Sequence, residues 1–371
     1  MQMRNIHKIL IITTGGTFTG NTAKNENKFE NFQVSDDIIS STSPLISYLN
    51  KIYSIEIILE IYEYCDEDSS NFSSKQWSEL ALRIKENYDD YNSFIIVHGT
   101  NTLGYTSAAL TFALANLNKP VILTGSQVPI GIPSSDAFGN LFNAIRLAVF
   151  KPINPIIGVI TVFGSQIISG TRVKKETEFE FDAFKSFGVG SLGKIGRIIS
   201  INEKNLAKHI SYLSTNLYQK ARTVNNLRFE NDFDTRIVSL TEFPGMSPDI
   251  FESLINNNDI RGIILRSFGG GDINRNLFPT FEYLKEREIP IVVTTQVPNG
   301  NSNFQINETG QYLRKNLLAI PAYDMSIEAQ TVKLSWLIAK RSKGYLNYLQ
   351  LCQEMINDLR DELNVIWEVG Y

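Results

Sequence analysis

Two threonines stand where apolar runs end, each flanked by glycine. Run 9–13 leads into Thr14-Gly15-Gly16-Thr17, and run 94–97 leads into His98-Gly99-Thr100-Asn101-Thr102. Open α/β sheets place their ligands at the carboxyl ends of strands. A hydroxyl presented there, beside glycines that let a ligand approach the backbone, suits nucleophilic attack. The pair therefore points to an enzyme with a hydroxyl nucleophile. Each motif also has a plain structural reading: the first as a strand-to-helix turn, the second as a cluster of capping residues that opens the next helix. Thr124-Gly125-Ser126-Gln127, followed by Ser135-Asp136 and Asn140, closes a third strand with groups suited to line a polar pocket. Arg172-Val173-Lys174-Lys175-Glu176 reads first as a solvated charged run. A lysine desolvated beside a threonine would instead act as a base. GxGxxG and GxxxxGK[ST] are both missing after the first strand, so it does not lead into a phosphate loop.

The elements that must position these residues alternate. Strands are predicted at residues 8–13, 55–61, 94–97, 121–124 and 156–162, and helices at 74–87, 103–115 and 136–150. This order argues for βαβ units and a mostly parallel sheet with helices on both faces. Residues 201–235 are polar and read as a linker or variable hairpin region. A second alternation follows, with strands at 236–240, 262–267 and 290–295 and helices near 248–255 and 275–286. Helices at 325–340 and 346–364 close the chain. The expected organisation is an N-terminal α/β domain over 1–205, a linker over 206–235 and a smaller C-terminal α/β domain over 236–371.

Composition narrows the function classes. The 371 residues are 43% hydrophobic and 20% charged, ordinary for a soluble globular protein. A net charge of −4 argues against a general nucleic-acid binder, which needs a concentrated basic surface. Two cysteines make no disulfide framework, and three histidines lack metal-ligand spacing, so neither metal nor cofactor is expected. The first apolar run is too short for a signal peptide, and none approaches a membrane span of roughly 20 residues. A cytoplasmic protein that neither binds nucleic acid nor enters a membrane is expected.

Taken together, the motifs resemble the bacterial-type L-asparaginase family, most of all its cytoplasmic type I branch. Thr-Gly-Gly-Thr, His-Gly-Thr-x-Thr, Thr-Gly-Ser-Gln-x-Pro, Ser-Asp-x-x-x-Asn and Gly-x-Arg-x-x-Lys occur in the family's order. So do Asp68-Ser69-Ser70 before Trp77 and Leu265-Arg266-Ser267-Phe268-Gly269. The resemblance implies an amidohydrolase that converts L-asparagine to L-aspartate and ammonia. It implies a homodimer or homotetramer whose active site lies between the N-terminal domain of one subunit and the C-terminal domain of the next. By position, Thr17 is the first nucleophile, and Thr100 and Lys175 belong to a threonine–lysine–acid group. Ser69 and Ser70 hold the substrate α-carboxylate. Gly16, Gly99, Gly125 and Ser126 line the site, and backbone N–H groups form the oxyanion hole.

The chain departs from the pattern at several positions. Asn101 stands where the family has an aspartate that pairs with the lysine and binds the substrate α-ammonium. Loss of a charge-assisted bond to an ammonium costs roughly 1.5–3 kcal/mol. Asn101 can still accept a hydrogen bond from Lys175, and a buried lysine without a nearby anion gives up its proton more readily. No tyrosine precedes Tyr48, so Phe29 or Phe32 falls where the family's loop tyrosine belongs. Gly269-Gly270-Gly271-Asp272 replaces the family's Gly-x-Gly-Asn. The carboxylate missing at Asn101 thus reappears at Asp272, where it would reach the substrate of the neighbouring subunit; aspartate is equally an ordinary turn residue. Arg266 is kept, but Lys174 and Val297 stand where the type I effector site has threonine and cysteine, so activation by asparagine is not expected. The competing reading is a catalytically silent homologue that binds a small amino acid or a partner. A transfer-RNA-linked amidase subunit shares these motifs but calls for an RNA-binding domain and a basic surface.

Overall fold

The computed structural model describes residues 5–19, 34–152, 156–214, 227–257, 259–305 and 307–364. The chain divides into two compact units, Met1–Asn231 and Asp232–Tyr371.

In the N-terminal unit the strands and helices run β1 (Asn5–Thr13), α1 (Val34–Tyr53), β2 (Ile55–Glu63), α2 (Ser74–Glu86), β3 (Ser93–Val97), α3 (Leu103–Ala113), β4 (Leu114–Ala115), β5 (Pro120–Thr124), α4 (Ala137–Val149), β6 (Gly158–Phe163), β7 (Gln166–Ser169), β8 (Val173–Lys175), β9 (Phe184–Ser186), β10 (Gly193–Ile195), β11 (Ile199–Ile201), α5 (Glu203–Ser214) and β12 (Arg228–Phe229). The main sheet has eight strands in the order β11-β10-β7-β6-β5-β3-β1-β2. Its β2-β1-β3-β5-β6 half is parallel, and the β6-β7-β10-β11 half is antiparallel. β3, β5 and β6 are buried along their whole lengths, which is why they read as unbroken apolar runs rather than alternating ones. Ile9, Ile11, Ile95, Val97 and Ile122 pack with Ile38 and Leu49 of α1 and Leu141 and Ile145 of α4 in one core.

β1 has β2 on one side and β3 on the other, so successive crossovers leave it in opposite directions. Ligands bind at such reversals in open α/β sheets. The glycine–threonine motifs follow β1 and β3, the strands that flank this one.

The C-terminal unit runs β13 (Ile237–Thr241), α6 (Asp249–Asn257), β14 (Gly262–Ser267), α7 (Phe278–Glu286), β15 (Ile291–Thr295), α8 (Glu308–Lys315), β16 (Ile320–Pro321), α9 (Ile327–Ser342) and α10 (Tyr348–Ile356). Its four strands are parallel in the order β13-β14-β15-β16.

The two-domain α/β architecture agrees with the expectation, and several local features differ from it. α1 went unanticipated because its sequence is rich in serine and threonine and contains Pro44. The helix expected over 103–115 stops at Ala113, and Leu114–Ala115 pairs instead with Arg228–Phe229. The segment 206–235 carries most of α5 as well as β12, so it is structured where it is described. The helix expected over 346–364 ends at Ile356, and 359–364 folds back so that Glu362 meets Lys333.

Candidate active site

The site grows from loops that leave the carboxyl ends of the parallel strands of the N-terminal unit. After β1, Gly15 and Gly16 take φ values of +87° and +75°, which side chains disfavour. Packing is equally restrictive. A Cβ on Gly16 would lie 2.9 Å from Gly99 Cα, and one on Gly15 would lie 2.3 Å from the Glu67 nitrogen. The two glycines therefore let the loops after β1, β2 and β3 meet backbone to backbone. Thr17 follows at once, in the short 3-10 turn Gly16–Thr19. The expected loop 21–32, with Phe29 and Phe32, lies outside the described residues.

The loop after β3 is stitched to Asp68-Ser69-Ser70. Ser69 is buried; its hydroxyl accepts from the Thr102 N–H at 3.3 Å, and its carbonyl accepts from Thr102 Oγ1 at 2.7 Å. Thr102 occupies the N-cap position of α3 without a side-chain capping bond, so its hydroxyl serves the neighbouring loop instead. Gly99 packs directly on Ser69, because a Cβ there would come within 2.7 Å of the serine hydroxyl. Asn101 is exposed, and its Nδ2 donates to Ser70 Oγ at 3.1 Å. Asp68 accepts from the Ser70 N–H at 2.8 Å. That bond, then the Ser70 hydroxyl and Asn101, hold its carboxyl below the usual range.

His98, although it heads the motif, has a structural role. It is fully buried, with one ring nitrogen 2.7 Å from the Gly99 carbonyl and the other 2.9 Å from Thr106 Oγ1. Burial lowers its pKa to about 4, so the ring is neutral at pH 7.

The charged run 172–176 is not solvated as its composition suggested. Arg172 is fully buried, and the Lys175 side chain is only 14% exposed. Lys175 ends β8, whose pairing with β9 turns it inward: its Nζ donates to Thr100 Oγ1 at 2.9 Å. The second bond of that ammonium goes to Glu178 Oε2 at 2.8 Å, while Asn101 bonds Ser70. Glu178 is the site residue that sequence reasoning passed over; its only signal was a carboxylate three positions after the lysine.

Asp136 and Asn140 clamp the loop after β5. Asp136 accepts from the Gln127 and Val128 N–H groups at 3.0 Å, and Asn140 Nδ2 donates to the Gly125 carbonyl at 2.9 Å. Gly125 lies against His98, whose carbonyl a Cβ would meet at 2.2 Å. The Thr124 and Ser126 hydroxyls are buried without a hydrogen-bond partner among the described residues. Buried orphans of this kind at strand ends call for a ligand or water.

Asp272 belongs to the C-terminal unit. Thr309 Oγ1 donates to its Oδ1 at 3.0 Å and Asn307 Nδ2 donates to its Oδ2, which ties the glycine turn to the start of α8. Arg266 and Val297 are exposed in the same unit.

Gathered in the N-terminal unit are thus two glycine–threonine loops, a serine pair, two unpartnered hydroxyls and a shielded lysine on a threonine hydroxyl. The chain belongs to the asparaginase family: the asparaginase N-terminal domain matches residues 8–207, and the glutaminase/asparaginase C-terminal domain matches residues 236–344. It is 33% identical over 310 residues to L-asparaginase 1 of Escherichia coli K12, covering 82% of this chain and 84% of that one. It is also 30% identical over 367 residues to a glutamyl-tRNA(Gln) amidotransferase subunit of Sulfolobus acidocaldarius, covering 97% of this chain and 76% of that one. The solved structure of the thermostable L-asparaginase from Thermococcus kodakarensis superposes with a TM-score of 0.78 at 28% identity, covering 96% of this chain and 99% of the other.

Proposed function

We propose that this protein is an amidohydrolase that cleaves the side-chain amide of L-asparagine, giving L-aspartate and ammonia. Lys175 Nζ at 2.9 Å from the buried Thr100 hydroxyl carries the reading, because nothing in a structural account of the fold requires a shielded lysine on a threonine at a strand end. Thr17 attacks the amide carbon, forming an acyl-enzyme and releasing ammonia. Water then adds to the acyl carbon, losing its proton through Thr100 to Lys175, and Thr17 leaves as the hydroxyl. Ser69 and Ser70 receive the α-carboxylate, Gly16 and Gly99 let the substrate approach the backbone, and the Ser126 loop faces the amide. The enzyme acts in the cytoplasm as a homodimer or homotetramer, with Asp272 of a neighbouring subunit reaching the substrate. Ammonia release from L-asparagine and from L-glutamine tests the reading. Turnover of asparagine that Thr17→Ala and Thr100→Val each reduce by roughly 10²-fold or more supports it. Preference for glutamine would move the activity toward that of the amidotransferase relative.

A second reading, a silent homologue that binds a small amino acid, draws on one observation. The residue facing Ser70 is an amide, with no charge for an α-ammonium. Calorimetric binding of asparagine without ammonia release would favour it.

A further inference from the structure

Lys175 has an anionic partner, and it is not residue 101. We propose that Glu178 is the carboxylate of the threonine–lysine–acid group in this chain, a positioning residue that orients the Lys175 ammonium toward Thr100. The inference rests on the amidohydrolase reading above, and its test separates the two.

The Lys175 ammonium makes two bonds, 2.9 Å to Thr100 Oγ1 and 2.8 Å to Glu178 Oε2. An ammonium carries three equivalent donors on a rotating bond. A fixed anion on one side selects the rotamer that aims another donor at the threonine. Proton transfer needs Lys175 as the neutral amine, whose lone pair takes the Thr100 proton; the carboxylate then stabilises the ammonium so formed, and the proton is the only species transferred. Alternation along β8 sends the adjacent Lys174 elsewhere, with its ammonium 5.4 Å from the centre of the Phe187 ring.

Glu178 is two-thirds exposed, and a surface ion pair of this kind contributes little to stability. Its backbone, however, is anchored. Lys175 pairs with Phe184 across β8 and β9, and the Glu176 N–H donates to the Ala183 carbonyl at 2.8 Å, so residues 177–182 form a closed loop. The Gln127 carboxamide donates into that loop, 3.2 Å from the Glu178 carbonyl and 3.4 Å from that of Glu180. The Gln127 N–H is itself held by Asp136. The hairpin loop carrying Glu178 is thereby fastened to the loop after β5, which lines the same site. In this chain the lysine pairs with Glu178, while position 101 carries an amide toward Ser70.

The test compares the parent, E178Q, E178D and the double variant E178Q/N101D. With asparagine as substrate, E178Q lowers kcat roughly 10²-fold with little change in KM. E178D recovers part of the rate, as does N101D in the E178Q background, because either returns a carboxylate to the group. Parental kcat in E178Q would overturn the proposal. Competitive acetylation of Lys175, read by mass spectrometry across pH, needs no turnover. Lys175 is labelled faster in E178Q than in the parent if the pair is present, and an unchanged rate overturns it. A parent that releases no ammonia but shows the labelling difference would remove the amidohydrolase reading and keep the pairing.

Discussion

Two lysine–glutamate pairs in this protein use the same chemistry for opposite ends. Lys333 and Glu362, in the C-terminal unit, are both fully buried. Burial pushes the Lys333 ammonium below the usual lysine range. Burial alone would raise the Glu362 carboxyl; Lys333 and the Leu359 N–H outweigh it and hold it below the usual range. Both groups make further bonds to the backbone: Lys333 also donates to the Asn357 carbonyl at 2.6 Å, and Glu362 accepts from the Leu359 N–H at 3.0 Å. Lys175 and Glu178, in the N-terminal unit, sit at 14% and 67% exposure, and the second bond of that lysine goes to a threonine hydroxyl. The buried pair is closed and ties the chain's last described segment to α9. The half-open pair has a threonine hydroxyl as its third member. On the proposed reading, what separates a structural lysine from a catalytic one is the identity of its neutral partner and its access to a ligand.

Three experiments sharpen the contrast. The largest effect is expected from Glu362→Ala, which strands a buried ammonium and lowers unfolding free energy by about 3–5 kcal/mol in urea titrations. Glu178→Gln changes the same quantity by less than about 1 kcal/mol. Equal losses in the two variants would erase the distinction.

Acid separates the buried pair from a third group. His98 is neutral when folded, with its pKa lowered to about 4 by burial. As pH falls below the ordinary histidine value of about 6.5, the unfolded chain takes up a proton that the folded chain refuses until near pH 4. Stability therefore declines across that window by up to about 3 kcal/mol. Partly buried His7, lowered to about 4 by desolvation and then by Lys151, adds to the same window. Glu362 acts in the other sense: its folded carboxyl lies below the usual range, so its contribution holds above that range and is lost only at lower pH. A urea series from pH 7 to 3 should show the histidine loss first. A flat response between pH 6.5 and 4 would contradict a buried neutral His98.

Asn101→Asp gives the smallest effect. A carboxylate facing Ser70 restores a charge-assisted contact for the substrate α-ammonium, so KM for asparagine falls by roughly 10-fold or more. An unchanged KM would mean that the ammonium is held by other residues, and an Asp272→Asn variant with raised KM would identify one.

Much of the parallel framework was legible because its strands are buried on both faces. β3, β5, β14 and β15 consist almost entirely of apolar and small residues, which mark a central strand without any partner in view. Helix α1 was hidden by its serines, Thr42 and Pro44, and Ile38 and Leu49 on it complete the core with β1. The strands β7 to β11 were hidden by length, since segments of three or four residues carry too little periodicity. At the site, Thr100 and Lys175 were singled out from local motifs, and the 2.9 Å contact brings them together. The Ser135-Asp136 and Asn140 motif was read as pocket lining, whereas Asp136 and Asn140 brace the loop from behind.

By itself, the sequence determined which residue types stand at which strand ends: glycines where backbones must touch, threonines beside them, and an amide in place of a carboxylate at 101. Those are properties of one residue in its local backbone, and spacing along the chain reveals them. Only the tertiary structure decided which residues far apart in the chain meet. Lys175 lies 75 positions from Thr100. It faces that threonine because a short hairpin folds under a sheet whose order no local pattern records. Lys333 meets Glu362 because the chain turns back after α10. Electrostatic partnership depends on distance through space and on the water excluded between the groups, and neither is encoded in the neighbours a residue has along the chain.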